Sequence, residues 1–143
     1  MRTLDETEVI ELLAQDVVAR LATVDPAGYP HVTPVWFLWD NDAYYVTSYL
    51  DRPHLDRIRS NPRVGLVIDV EQEQRADGER PNRQIRVIGD ALVSVDSTGD
   101  WTRRIRRKYI DGSASPDAVE RGLHRGRALI TISPIEMRAV ASV

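Results

Sequence analysis

The sequence predicts a mainly β protein with peripheral helices, folded as a small antiparallel barrel. Three observations predict it. Six or seven short segments rich in β-branched or aromatic residues are separated by turns built from Pro, Gly, Asp and Asn. Most of the connections are too short for the crossovers that parallel strands need. Two or three stretches carry a helical period, and they stand between groups of strands instead of alternating with each one.

In chain order, Thr3-Leu4-Asp5-Glu6 has a capping-box pattern, and Val9, Leu12 and Leu13 then share a helical face, so a helix is expected over residues 5–14. Residues 17–24 are β-branched and half apolar, a strand ended by the turn residues Asp25-Pro26-Ala27-Gly28. Residues 30–39 read as one strand, folded back by residues 40–42 into a strand at 43–48. Pro34 cannot donate to a ladder and belongs at an edge or bulge. Trp36 and Trp39 fall on opposite faces by period 2, which places one of them at a ligand or subunit surface. A short helix ends at Asn61-Pro62, and residues 63–70 form the next strand.

Residues 71–82 (EQEQRADGERPN) lack apolar side chains and form a solvated loop, or a flap over a site. Residues 83–94 form the longest strand, with Ile85, Val87, Ala91 and Val93 on one face and Gly89 marking a bulge or a close backbone approach. A second long helix is expected over 96–110, capped by Asp96, Ser97 or Thr98. Residues 111–116 break it and residues 116–123 add a helical turn. Residues 127–133 and 136–143 close the chain as a strand pair joined at Ser133-Pro134.

The composition excludes several functions. With 143 residues, 42% hydrophobic and 29% charged, the chain is ordinary for one globular domain spanning residues 1–143. A net charge of −3 argues against nucleic acid as a partner. The basic run 103–108 has Trp101, Ile105 and Tyr109 at every fourth position, which reads as a helix with a solvated basic face. The absence of cysteine excludes disulfides and thiolate chemistry. His31, His54 and His124 have irregular spacing and no evident carboxylate partner, so no metal site is expected. No apolar run nears the ~20 residues of a membrane span. A cytoplasmic protein is expected.

One stretch is suited to a ligand. Thr47-Ser48-Tyr49-Leu50-Asp51-Arg52-Pro53-His54 gathers hydroxyls, an arginine and a histidine just before a helix, where free N–H groups and the dipole favour an anion such as phosphate. The same residues also serve an ordinary loop with a capped helix. Ser48, Arg52 and His54 are the expected anion ligands. Catalytic motifs such as a nucleophile elbow, a zinc-protease helix or a phosphate loop are missing.

Three segments together, Gly28-Tyr29-Pro30-His31-Val32-Thr33-Pro34-Val35, Asn61-Pro62-Arg63-Val64 and Asn82-Arg83-Gln84-Ile85-Arg86-Val87-Ile88-Gly89, resemble the pyridoxamine 5′-phosphate oxidase-like flavoproteins. The resemblance spans about residues 17–95. It implies the FMN-binding split β-barrel fold, in a group that includes F420 (deazaflavin)-dependent reductases. It further implies that Thr33, Pro34, Val35 and Trp36 line the cofactor ring, that Thr47 and Ser48 lie on the phosphate side, and that Gln84 hydrogen-bonds the cofactor. A homodimer with the ring between protomers is implied as well.

The chain also departs from the family pattern. Pro53-His54 replaces an arginine–lysine pair, with Arg52 displaced by one residue. Thr33 stands in place of an arginine, Leu38 or Trp39 in place of a lysine, and the basic C-terminal segment of the true oxidases is missing. Pyridoxamine phosphate oxidation is therefore not expected. Three readings follow: an FMN-dependent oxidoreductase acting on a small molecule, an F420-dependent reductase, or a non-enzymatic barrel that binds flavin or haem.

Overall fold

The computed structural model describes residues 1–111, 113 and 116–142. A two-residue β1 (Arg2–Thr3) leads into α1 (Glu6–Ala14). Next come β2 (Ala19–Val24), β3 (Pro30–Val35), β4 (Leu38–Asp40) and β5 (Ala43–Ser48). The chain continues through α2 (Pro53–Ser60), β6 (Arg63–Glu71), β7 (Asn82–Val95) and α3 (Asp100–Tyr109). After two short 3-10 turns it closes with β8 (Ala128–Ala141).

The described strands form one antiparallel sheet in the order β3-β2-β6-β7-β8-β5-β4, with β1 added to β8. Its two ends, β3 and β4, are joined by Trp36 and Phe37 alone. So short a link spans about 10 Å, so the sheet must curl until its edges approach without pairing. The outcome is a mainly β barrel with peripheral helices, split between β3 and β4. Leu21, Phe37, Tyr44, Ile68, Ile85 and Ile130 fill it, and Leu12 and Leu13 of α1 with Leu55 and Ile58 of α2 extend its core.

Several elements differ from expectation. The capping box of α1 starts at Asp5, whose Oδ1 accepts from the Glu8 N–H at 2.8 Å while Glu8 accepts from the Asp5 N–H at 2.9 Å. Thr3 is drawn instead into β1, opposite Val140. The strand expected over 30–39 breaks after Val35. There Lys108 Nζ donates to the Phe37 carbonyl at 3.1 Å and the Phe37 N–H donates to Tyr109 Oη at 3.2 Å. Those bonds turn Phe37 into the core.

The second long helix begins only at Asp100, because Gly99 takes a left-handed φ of 78°. Asp96 still caps it from outside, accepting from the Thr102 N–H at 2.9 Å and from its hydroxyl at 2.7 Å. The break expected over 111–116 lies partly outside the described residues.

The closing strand pair is one strand, β8, paired with β7 along its length. Gly89 faces Pro134, Ile88 faces Glu136, and Ile135 is the extra residue of a bulge. A bulge tolerates the missing N–H of proline, so Ser133-Pro134 bends the strand without ending it. Gly89 meets both expectations, since a Cβ there would lie 2.6 Å from the Ser133 carbonyl oxygen. Most large aromatics pack within one chain: Tyr44 is buried, Trp39 packs on it and Tyr45 stacks on Trp101, while Trp36 stacks on Tyr109 and stays exposed.

Candidate functional site

A cavity of about 790 Å³ opens where β3 and β5 end and α2 begins, with α3 as a further wall. One side is apolar: Val18, Pro34, Val35 and Trp36 from the end of β3 and its link, with Ile105 from α3. Among the described residues β3 has no strand partner on its outer edge, and Pro34 leaves one ladder donor missing there. Trp36, 42% exposed, lies parallel to the Tyr109 ring with centroids 4.7 Å apart. That stack holds a broad indole surface beside the cavity.

The other side is cationic. Arg52 and Arg57 come from α2 and its N-cap, Arg106 from α3 and Arg127 from the entry to β8, and among the described residues no carboxylate lines the cavity. Among the described residues none of the four belongs to an ion pair, although Arg2, Arg20, Arg103 and Arg104 elsewhere all do. Self-repulsion of this kind is costly unless an anion relieves it.

At α2, Arg52 is the N-cap residue and Pro53 stands at the first helical position, which fixes the entry without losing a needed N–H. Arg52 makes no capping bond through its side chain. His54 is 7% exposed, and its Nε2 lies 3.1 Å from Ser48 Oγ, which donates to the Tyr49 carbonyl. Burial lowers the His54 pKa below its ordinary value, and the charges of Arg57 and Arg52 lower it further. Arg57 donates through Nε to the buried Thr23 hydroxyl at 2.8 Å.

Around Tyr49 the guanidinium carbons of Arg127, Arg125 and Arg52 lie 3.6, 4.2 and 5.3 Å from the ring centre. Arg127 donates through Nη1 to the Gly122 and Gly126 carbonyls, each at 3.1 Å; among the described residues its buried Nη2 has no well-aligned partner, and the guanidinium lowers the Tyr49 pKa by its charge and by a hydrogen bond. An orphan donor of that kind is rare in a folded interior. The residues present therefore fit a ligand with a flat apolar part and an anionic end.

Of the residues expected from the sequence, Thr33, Pro34, Val35, Trp36, Thr47, Ser48, Arg52 and His54 all line this cavity. Gln84 does not: it lies on β7, where it donates to Asn82 at 3.1 Å and accepts from Arg86 at 2.7 Å. Sequence reasoning missed Arg57, Tyr49, Arg106 and Arg127. Arg57 sits three residues beyond His54, on the same helical face, so spacing was a usable signal. Nothing local marks the other two arginines. The basic run is only partly a solvated face, since Arg106 lines the cavity and Lys108 turns inward to the Leu13 and Phe37 carbonyls.

The family model described as Pyridoxamine 5′-phosphate oxidase matches residues 6–141. No curated protein matches the chain. Among solved structures, an F420 reductase is 25% identical, with 89% of this chain and 93% of that chain covered and a TM-score of 0.66. A FAD-binding protein from Mesorhizobium loti is 21% identical over 99% and 98%, with a TM-score of 0.69. HutZ, a haem storage protein from Vibrio cholerae, is 19% identical over 100% and 95%, with a TM-score of 0.67. The last two likenesses are of fold alone.

Proposed function

The chain belongs to the pyridoxamine 5′-phosphate oxidase family, and on that premise we propose that it binds FMN in this cavity and acts as an FMN-dependent oxidoreductase on a small-molecule substrate. The observation that carries the reading is the division of one cavity into an apolar strand edge and a cationic, carboxylate-free end. Thr33, Pro34, Val35 and Trp36 would flank the ring. Thr47, Ser48, Arg52, Arg57, His54 and the positive end of α2 would hold the phosphate. The bound flavin supplies the hydride chemistry, so the absence of a protein nucleophile is no obstacle. The chain's own work is to bind, to orient, and to keep water off the ring with Val18, Val35 and Trp36.

The likeness to an F420 reductase favours a second reading, in which the deazaflavin F420 uses the same cavity. The proposal also includes a homodimer. Its support is an outward apolar patch on the β7–β8 ribbon, where Ile88, Leu92 and Ile135 are 57%, 68% and 71% exposed. An absorption spectrum of freshly purified protein, followed by stripping and add-back, tests the cofactor. A flavin band that returns with FMN supports the first reading. Colourless protein that binds added F420 and not FMN moves the reading to the second. Binding of neither overturns both.

A further inference from the structure

We propose that Met137 is a methionine-oxidation site: hydrogen peroxide converts its thioether to a sulfoxide in the folded protein, and the buried Tyr44 hydroxyl receives the new oxygen. The inference is independent of the cofactor reading. Apart from Met1, this is the one sulfur in the sequence.

The bulge of β8 places that sulfur. Before the bulge the buried residues of β8 include Ile130 and Ile132. The extra residue, Ile135, reverses the alternation. Met137 and Ala139 therefore face inward after it, opposite the buried Val87 and Ile85. Met137 nevertheless stays 36% exposed. Its side chain lies at the lip of the barrel, with solvent on one side and the core on the other. Ile88, Leu92 and Ile135 belong to the opposite face of the same ribbon. A dimer built on that patch does not use Met137.

On the core side the sulfur meets a hydroxyl without a better partner. Tyr44 is 0% exposed, and its Oη donates to Met137 Sδ at 3.7 Å, its one hydrogen bond among the described residues. Burial raises the Tyr44 pKa, so the phenol keeps its proton and remains a donor. A thioether is a weak acceptor for such a group. An aliphatic filler such as the neighbouring isoleucines would leave the hydroxyl orphaned.

Oxidation usually disrupts a core because it adds a polar oxygen without a partner. Here the oxygen finds the Tyr44 donor on one side and water on the other. The step balances with peroxide alone. A sulfur lone pair attacks one peroxide oxygen, so that an S–O bond forms as the O–O bond breaks. The departing hydroxide takes the proton of the transferred hydroxyl and leaves as water. Sulfur gives up two electrons and the peroxide accepts them. The rings of Trp39 and Phe37 lie 4.6 and 6.1 Å from that of Tyr44. Phe37 adjoins Trp36 in the β3–β4 link, so the oxidised site neighbours the cavity wall.

The test treats the protein as purified with hydrogen peroxide in the dark, with a free methionine peptide in the same tube. Peptide mass mapping should find one added oxygen at Met137, formed within an order of magnitude of the rate of the free peptide, in protein that stays folded. A slower rate means that peroxide reaches the sulfur only after unfolding, and overturns the proposal. Urea unfolding then compares oxidised with reduced protein. The midpoint should fall less in the parent than in Tyr44→Phe, where the oxygen has no donor. Equal falls in the two overturn the proposal as well. If Tyr44→Phe does not fold, tyrosine absorbance decides instead. Oxidation should shift it to longer wavelength in the parent, as the phenol bonds a stronger acceptor, and leave it in place in Met137→Leu. No shift in the parent, or the same shift in both, overturns the proposal.

Discussion

Replacing a strand glycine by alanine has opposite consequences at two positions of this sheet. In general the change stiffens the unfolded chain and stabilises by ~0.4–1 kcal/mol where the native backbone accepts a Cβ. At Gly65 on β6 the new Cβ would meet Ala22 Cβ at 3.7 Å and the Val87 carbonyl at 3.8 Å, both ordinary contacts. At Gly89 on β7 it would meet the Ser133 carbonyl oxygen at 2.6 Å and Ile132 Cγ2 at 3.2 Å. Backbone cannot rotate away, so β7 and β8 must part by about half an ångström beside the bulge. Overpacking of this kind costs ~1–3 kcal/mol, and parted ladder bonds add ~1 kcal/mol. Net of the entropic gain, Gly89→Ala should lose about 1–3.5 kcal/mol, whereas Gly65→Ala should be neutral or slightly stabilising. Urea unfolding followed by circular dichroism measures both, with an unchanged slope expected. Gly89→Ala at least as stable as the parent would refute the packing argument, as would a larger loss at Gly65.

Further outcomes follow from the site. His54 starts with a lowered pKa, and a bound phosphate should raise it, so binding takes up a proton. The histidine contribution to FMN affinity is then complete below the free-protein value and lost as pH rises through the bound-state value. The ratio of Kd between His54→Gln and parent isolates it from the phosphate's own titration near ~6, and a ratio independent of pH would count against contact. Burial pulls Lys108 down to about 8 from 10.5. The unfolded chain therefore holds the extra proton between those values, and the parent should gain stability over Lys108→Met as pH rises through that window; a flat or shrinking difference in urea midpoints contradicts this. Sedimentation at micromolar concentration should show a dimer, and Leu92→Lys should weaken it; a monomeric parent removes the dimer from the account.

Much of the barrel was legible because its signals are local. Turn residues bound the hairpins, period 2 sorts the faces of β7, and Gly89 stands out in an otherwise bulky strand. What was missed depends on distant partners. Phe37 leaves its strand because Lys108 and Tyr109 take its backbone groups. One local signal was misread as well: α3 starts late because Gly99 takes a left-handed φ, which leaves Asp96 to cap it from outside the helix. Arg106 and Arg127 looked like surface charge in the sequence, since nothing near them says that they face Tyr49 across the fold.

FMN and riboflavin differ by one phosphate, and the central claim is that the cationic end of this cavity holds that group. Titration of cofactor-free protein with each, at fixed ionic strength, is the most direct measurement. The account predicts FMN binding tighter by at least about tenfold to a hundredfold, the scale of one strong charged hydrogen bond, and the gap closing in Arg52→Ala. Equal affinity for the two in the parent would contradict the account.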